Sequence, residues 1–313
     1  MDVQKFIQDK VKEIKEKVGS DTAVNALSGG VDSSVVAILA HKALGDKVKN
    51  IFLNDGLMRL NEPETIKSSF AKIGIDVEVK DVADKFFSAL KGLEDGEEKR
   101  KAFRDTFYKV LGEAVKESGG KVLLQGTIKP DIEETKAGVK TQHNILSQIG
   151  IDPEKEYGYR IAEPLIDLVK WEVREVGKAL GLPQTRFNTM PFLGPGLSGR
   201  VIGEVTRERV EIVRKANNIV EEELMPLKPF QCLAVLLKDN ATMKGDENAK
   251  GRNYGNIIAV RCVESTDART VEVTEVPYDI LKRIVKRITT EVPGVIKVVY
   301  DVTPKPPSTI EYI

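Results

Sequence analysis

Cysteine, histidine and tryptophan are nearly absent from this chain: its 313 residues hold two Cys, two His and one Trp. Cys232 and Cys262 form neither a C-x-x-C pair nor a disulfide framework. A zinc site would need both of them to converge with His41 and His143 from scattered positions, so the thiols read as buried and apolar. So few histidines also supply a Ser-His-Asp or Cys-His nucleophile system poorly. Charge of either sign is not in excess, with 48 Lys plus Arg against 48 Asp plus Glu, and the basic surplus of a nucleic-acid carrier is missing. No stretch approaches the ~18 consecutive apolar residues of a membrane span. The N-terminal MDVQKFIQDKVKEIKEKV sets apolar residues among charges at helical spacing and lacks the apolar core of a signal peptide. The reading is a cytoplasmic protein with no membrane and no nucleic acid among its partners. At 41% hydrophobic and 31% charged residues, the chain is globular and long enough for about two domains.

What is present first is alternation. Thr22–Leu27, Val48–Asn54, Asp76–Lys80 and Lys121–Gln125 read as strands. Between them, Asp32–Leu44, Glu62–Ile73 and Glu97–Ser118 read as helices. This order predicts parallel βαβ units, a doubly wound α/β sheet with helices on both faces, and ligands bound beyond the carboxyl ends of its strands. Residues 126–161 show no strong period and contain two prolines and several glycines, so they read as a long functional loop. Leu168–Leu180 restores a helix, stopped by Gly181 and Pro183. The Gly- and Pro-rich stretch Phe187–Gly203 holds the domain junction, giving residues 1–186 and 187–313 as the two domains. In the second, Thr206–Met225 and Pro277–Thr290 read as helices and Phe230–Lys238, Asn256–Ser265 and Val295–Val302 as strands, a smaller α+β domain.

The sharpest local signal is Leu27-Ser28-Gly29-Gly30-Val31-Asp32-Ser33-Ser34, at the passage from the first strand to the first helix. Small residues there let the backbone approach a phosphate, and the free N–H groups of a helix's first turn bind oxyanions. Hydrogen bonds to a charged group contribute roughly 1.5–3 kcal/mol each. The run lacks the lysine of G-x-x-x-x-G-K-S/T and the spacing of G-x-G-x-x-G, so neither a Walker loop nor a nicotinamide site is supported. The bland alternative is a Gly-rich turn in which Asp32 and Ser33 cap the helix.

The run resembles the S-G-G-x-D-S loop of the PP-loop pyrophosphatases, and the rest of the chain resembles one family among them, the ATP-pyrophosphatase subunits of GMP synthases. Asn54-Asp55-Gly56-Leu57-Met58-Arg59 stands where that family carries D-N/T-G-L-L/M-R. Phe87-Ser88-Ala89-Leu90-Lys91-Gly92 and Lys99-Arg100-Lys101 resemble F-x-x-A-L-x-G and K-R-K. Gln125-Gly126-Thr127-Ile128-Lys129-Pro130-Asp131 matches Q-G-T-I-x-P-D. Pro195-Gly196-Leu197 with Arg200-Val201-Ile202-Gly203-Glu204 matches P-G-P-G-L-x-x-R-V-L/I-G-E in part, and Lys305-Pro306-Pro307-Ser308-Thr309-Ile310-Glu311 matches K-P-P-x-T-I-E.

The resemblance implies ATP-dependent amination of XMP to GMP through an adenyl-XMP intermediate, with release of AMP and pyrophosphate. ATP would lie on Ser28, Gly29, Gly30, Val31, Asp32, Ser33 and Ser34, with Leu53 and Gly126 beside it. Mg²⁺ offsets the charge on the departing pyrophosphate, and Asp32 is the residue expected to hold it. The loop around 126–161 becomes a lid whose Lys140 offsets phosphate charge and whose His143 orients substrate or nucleophile; Asp131 joins the catalytic set. Gly196, Arg200, Lys305, Ile310 and Glu311 would bind XMP, Lys305 at its phosphate and Glu311 at the purine edge. With only one helix before the first βαβ unit, the resemblance points to the split form, supplied with ammonia by a separate glutaminase subunit, and to a homodimer paired through the second domain. Three positions depart from the family pattern: Asn54-Asp55, Gln142 in the lid, and Thr189-Met190-Pro191-Phe192-Leu193 at the junction. Other readings are a different adenylating ligase such as an NAD synthetase or a tRNA-thiolating enzyme, a non-catalytic nucleotide-binding homologue, and a K-homology-like RNA module in the second half, which the neutral charge disfavours.

Overall fold

A computed structural model of the chain describes residues 1–136, 152–183, 187, 190–192, 194–243, 253–266 and 268–312. In chain order the elements are α1 (Val3–Val18), β1 (Ala23–Leu27), α2 (Val31–Leu44), β2 (Val48–Asn54), α3 (Glu62–Ala71), β3 (Val77–Asp81), α4 (Ala83–Leu90), α5 (Gly96–Glu117), β4 (Val122–Leu124), α6 (Lys129–Lys136), α7 (Pro153–Tyr157), β5 (Arg160–Ala162), α8 (Lys170–Ala179), α9 (Arg207–Leu224), β6 (Gln231–Met243), β7 (Asn253–Glu264), β8 (Glu272–Val273), α10 (Tyr278–Glu291) and β9 (Val295–Tyr300). They form two compact units. Met1–Asn54, Asn61–Val82 and Thr106–Thr189 make the first, and Asp55–Leu60, Ala83–Asp105 and Met190–Ile313 the second.

The first unit is built on a five-stranded sheet ordered β3-β2-β1-β4-β5, parallel throughout. Its strands are short apolar runs because both faces are covered. α2 is apolar on every side, and Val35, Val36, Ala37, Leu39 and Ala40 are fully buried, the pattern of a core helix rather than an amphipathic one. One polar rung crosses this core: Asn25 on β1 donates to Asn50 on β2 (3.1 Å), and Asn50 donates to the Asp76 carbonyl (3.3 Å). Strand order reverses between β1 and β4, and such a switch point opens a crevice at the strands' carboxyl ends.

The segment 126–161 is less irregular than its composition predicts. It holds α6, α7 and the start of β5, while residues 137–151 lie outside the described residues. α6 and α7 span 8 and 5 residues, too short to show a helical period. α7 begins on an Asp152 cap with Pro153 in its first turn, a start signal that carries no apolar face. β5 has 3 residues and is specified by its pairing with β4, not by its own sequence.

The second unit contains the antiparallel pair β6–β7, with β8 antiparallel and β9 parallel to β7. The amphipathic helices α9 and α10 supply Val210, Val213, Val220, Ile284 and Ile288 to its interior. Cys232 and Cys262 face one another across β6 and β7, and both are buried free thiols, as the sequence reading has them. Burial pushes the Cys262 thiol up to about 11 and Cys232 higher still. Since the thiolate is the reactive species, neither is expected to react with a thiol-specific disulfide reagent at pH 8 until the protein is unfolded, when two equivalents appear. Prompt reaction of either in the folded protein contradicts this placement.

Candidate functional site

The first unit's candidate site begins where β1 ends. Gly29 has φ +80°, a left-handed conformation that glycine adopts freely, and a side chain there would meet Ile66 of α3 at 2.7 Å. Gly30 is the first cap residue of α2, and no side chain caps that helix start. The hydroxyls of Ser33 and Ser34 instead donate backwards to the Gly30 carbonyl (3.1 and 2.7 Å), and Ser28 N–H donates to Ser33 Oγ (3.2 Å). Ser28 and Ser33 hydroxyls lie 3.1 Å apart. The capping role considered for Asp32 and Ser33 is therefore not what the structure contains. The serines tie the loop to itself, and the N–H groups of the first turn of α2 keep no side-chain acceptor.

Gly126, just past β4, forms the other wall. A methyl group there would sit 2.8 Å from Ser33 N and 2.9 Å from the Asp32 carbonyl carbon, so the two backbones touch at the sheet's switch point. Its neighbours Gln125 and Thr127 are 2% and 1% exposed. The Gln125 amide and the Thr127 hydroxyl have no hydrogen-bond partner among the described residues. Buried polar side chains without partners are uncommon, and two of them flank this contact. Asp32 shares the feature: Oδ1 is buried without a partner, while Oδ2 accepts from Lys170 Nζ at 2.6 Å. Among the described residues no three His, Cys, Asp or Glu side chains converge. A single carboxylate combined with substrate phosphates is the usual way Mg²⁺ is bound, so Asp32 beside the loop fits that ion. Asp131 accepts from Ile128 N–H (3.0 Å) and starts α6. Leu53 is buried near the end of β2. Lys140 and His143, like Gln142, Thr189 and Leu193, lie outside the described residues.

In the second unit the sequence-derived residues Arg200 and Glu311 meet. Arg200, fully buried, donates from Nε and Nη2 to the two oxygens of Glu311 (3.1 and 2.9 Å) and from Nη1 to Asn217 Oδ1 (2.6 Å). Gln231 Nε2 completes the set on Glu311 Oε1 (2.8 Å). A two-pronged pair with each guanidinium nitrogen engaged is the geometry that makes a buried charge tolerable, and removing one member typically costs about 3–5 kcal/mol. The Arg200 guanidinium lies 4.7 Å and that of Arg59 4.1 Å from the ring centroid of Phe192. Arg59 also donates to Glu221 (3.0 Å) and to the Met190 carbonyl (3.1 Å).

The turn bearing Arg200 is held by its backbone. Gly196, at φ +60°, brings the chain so close to Leu57 that a side chain would sit 2.5 Å from the Leu57 carbonyl oxygen, to which Leu197 N–H donates at 2.7 Å. Lys99 donates to the Val201 carbonyl (2.8 Å) and Arg209 to the Ile202 and Glu204 carbonyls (2.8 and 3.2 Å). Burial, reinforced by Arg209, pulls the Lys99 ammonium down to about 8. Lys305 donates to the Ala268 carbonyl (2.8 Å). Ile310 packs with Tyr312 on the cluster Leu233, Val235 and Ala259. Both oxygens of Glu311 are engaged within the protein, so it anchors Arg200 as well as offering its remaining lone pair. Gln231, Asn217, Phe192 and Lys170 carry no local motif that would single them out in the sequence. Arg59 lies inside a motif segment, but its role is visible only in three dimensions.

Two family models match the chain: one described as GMP synthase C terminal domain over residues 217–312, the other as NAD synthase over residues 1–106. Among characterised sequences, one subunit of the glutamine-hydrolyzing GMP synthase of Archaeoglobus fulgidus is 50% identical over 312 residues, covering 100% of both chains. The protein of the same name from Pyrococcus horikoshii is 49% identical over 316 residues, again covering both chains entirely. That from Methanocella arvoryzae is 50% identical over 313 residues, covering 100% of this chain and 99% of its own.

The contact at Gly126 gives a test of the loop. In Gly126→Ala the methyl group meets backbone, which cannot yield as a flexible side chain does, and overpacking of this kind costs about 1–3 kcal/mol. Calorimetric titration is expected to show ATP affinity reduced by about tenfold or more, with the thermal transition retained. Unchanged ATP affinity contradicts the assignment of this wall.

Proposed function

The chain belongs to the family of these glutamine-hydrolyzing GMP synthase subunits, and on that premise we propose how its residues divide the reaction. The protein is an AMP-forming ligase that aminates XMP to GMP at the expense of ATP. Its partner is a separate glutaminase subunit, the source of ammonia. The NAD synthase description covers only the phosphate-loop half of the chain, whereas the full-length relatives carry the C-terminal half as well.

In this reading residues 1–186 cleave ATP, and residues 187–313 bind XMP and pair two copies of the chain. The segments Asp55–Leu60 and Ala83–Asp105, which pack within the second unit, serve the XMP half. The uncapped start of α2 at the sheet's switch point is the observation that carries the assignment. Its N–H groups and the hydroxyls of Ser28, Ser33 and Ser34 receive the β- and γ-phosphates, as unsatisfied first-turn donors receive anions generally. The XMP 2-oxygen attacks the α-phosphorus, the bond from that phosphorus to the bridging oxygen breaks, and pyrophosphate leaves while held by the loop. Ammonia then adds at C2, AMP departs with the former 2-oxygen, and the nitrogen loses its surplus protons to give GMP. Asp32 would hold Mg²⁺, which when bound supplies countercharge for the departing pyrophosphate. Lys140 offsets phosphate charge and His143 orients substrate or nucleophile. Asp131 fixes the turn leading into α6, and Leu53 lies beside the base of ATP. Lys305 takes the XMP phosphate. The Arg200–Glu311 pair, seated behind Gly196, with Ile310 packed beneath, shapes the site for the purine. The protein works in the cytoplasm as a homodimer. Among the described residues no helix is long and apolar enough to cross a membrane.

Incubation with XMP, ATP, Mg²⁺ and ammonium is expected to yield AMP and GMP in equal amounts. Asp32→Ala should abolish pyrophosphate release, and removal of the residues after Lys305 should chiefly raise the XMP requirement. Turnover of ATP to ADP, or a truncated chain with unaltered XMP dependence, contradicts this reading.

A further inference from the structure

Lys170 has no part in that division of the reaction, yet its side chain occupies one oxygen of Asp32 at 2.6 Å. The lysine is 48% and the aspartate 22% exposed in their side chains. An ion pair so open to water stabilises a fold little, so its interest lies in where it is. Lys170 is the first residue of α8, and its backbone corner is pinned: Val169 N–H donates to Glu172 Oε2 (3.0 Å), and Lys129 N–H donates to the Leu168 carbonyl (2.9 Å). That second bond ties the corner to the segment that carries Gln125, Gly126 and Thr127. Further along α8, Gly177 lies close enough to α2 that a methyl group would meet Val35 at 3.1 Å. The ammonium is thus suspended from a fixed point beside the phosphate loop, on a flexible stem.

Asp32 has one buried oxygen without a partner and one held by this ammonium. A divalent cation arriving with a nucleotide competes with Lys170 for the carboxylate, since two cations cannot share it without repulsion. The displaced ammonium remains tethered within reach of the same loop, where the incoming phosphates bring negative charge. We propose that Lys170 is a phosphate-binding residue held in reserve, which neutralises Asp32 while the loop is free and moves its charge-assisted hydrogen bond to the terminal phosphates of a nucleoside triphosphate when a divalent cation takes Asp32. The proposal rests on the reading of Ser28–Ser34 as the site of those phosphates.

The test uses the full chain with Lys170→Met, which keeps the stem without the charge, and Lys170→Arg, which keeps the charge. Mn²⁺ binding without nucleotide is followed by electron paramagnetic resonance, and binding of the α,β-methylene analogue of ATP with Mg²⁺ by calorimetry. Lys170→Met is expected to bind Mn²⁺ more tightly and the analogue more weakly, each by about tenfold, the worth of one charge-assisted hydrogen bond. Lys170→Arg is expected to restore most of the analogue binding, and the KM for XMP should stay unchanged in both variants. Lys170→Met with unaltered affinity for both ligands makes this a static surface pair and overturns the proposal alone. Failure of the unaltered protein to bind the analogue overturns the loop assignment and the proposal with it.

Discussion

A helix that starts without a side-chain cap at the end of a buried parallel strand leaves N–H donors needing an acceptor, and the first unit is organised around that deficit. The cost of unmet backbone donors is the reason that most helices begin on Ser, Thr, Asp or Asn. Here Gly30 occupies the cap position, and the two hydroxyls best placed to help, on Ser33 and Ser34, donate to its carbonyl instead. The wall opposite is backbone as well, because Gly126 abuts Ser33 directly. Side chains are kept out of the space in which an oxyanion belongs, and Asp32 with Lys170 sets a paired negative and positive charge at its edge. Binding of the terminal phosphates is thereby prepared by main-chain geometry, which needs no reorganisation when ATP arrives.

The second unit solves a different problem. A guanidinium and a carboxylate are taken out of water together, and the desolvation is offset only if every donor and acceptor finds a partner. Arg200 and Glu311 meet that condition through Asn217 and Gln231, with Phe192 under the guanidinium. Lys99 and Arg209 fix the backbone immediately after Arg200. Such a closed network stabilises modestly and specifies strongly: it permits one arrangement of the C-terminal tail, since Glu311 cannot leave without stranding a buried charge.

Periodicity makes the large elements legible. Val48–Asn54 reads from the sequence with the bounds it has, and α2, α5, α9 and the long strands of the second unit differ from expectation by a few residues at their ends. The phosphate loop is legible because its chemistry is local, a run of small residues at one junction. What the sequence hides is non-local or short. α6, α7 and β5 are too brief to establish a period, and β8 has 2 residues. Gln231 and Asn217 are ordinary residues until folding brings them to Glu311 and Arg200. Lys170 reads as a solvated helix start until its distance to Asp32 is known. The motif residues Arg200 and Glu311 stand out in the sequence as substrate contacts, and their mutual pairing becomes visible only once the tail is seen packed against the sheet.

The central claim is that the loop grips the terminal phosphates, so that the α-phosphorus is the one attacked. XMP labelled with ¹⁸O at the 2-oxygen puts this to the test, with products resolved by ³¹P resonance or mass spectrometry after a turnover with ammonium. The account predicts the label in the phosphate of AMP. Label recovered in pyrophosphate or inorganic phosphate contradicts it, because another phosphorus would then have received the oxygen.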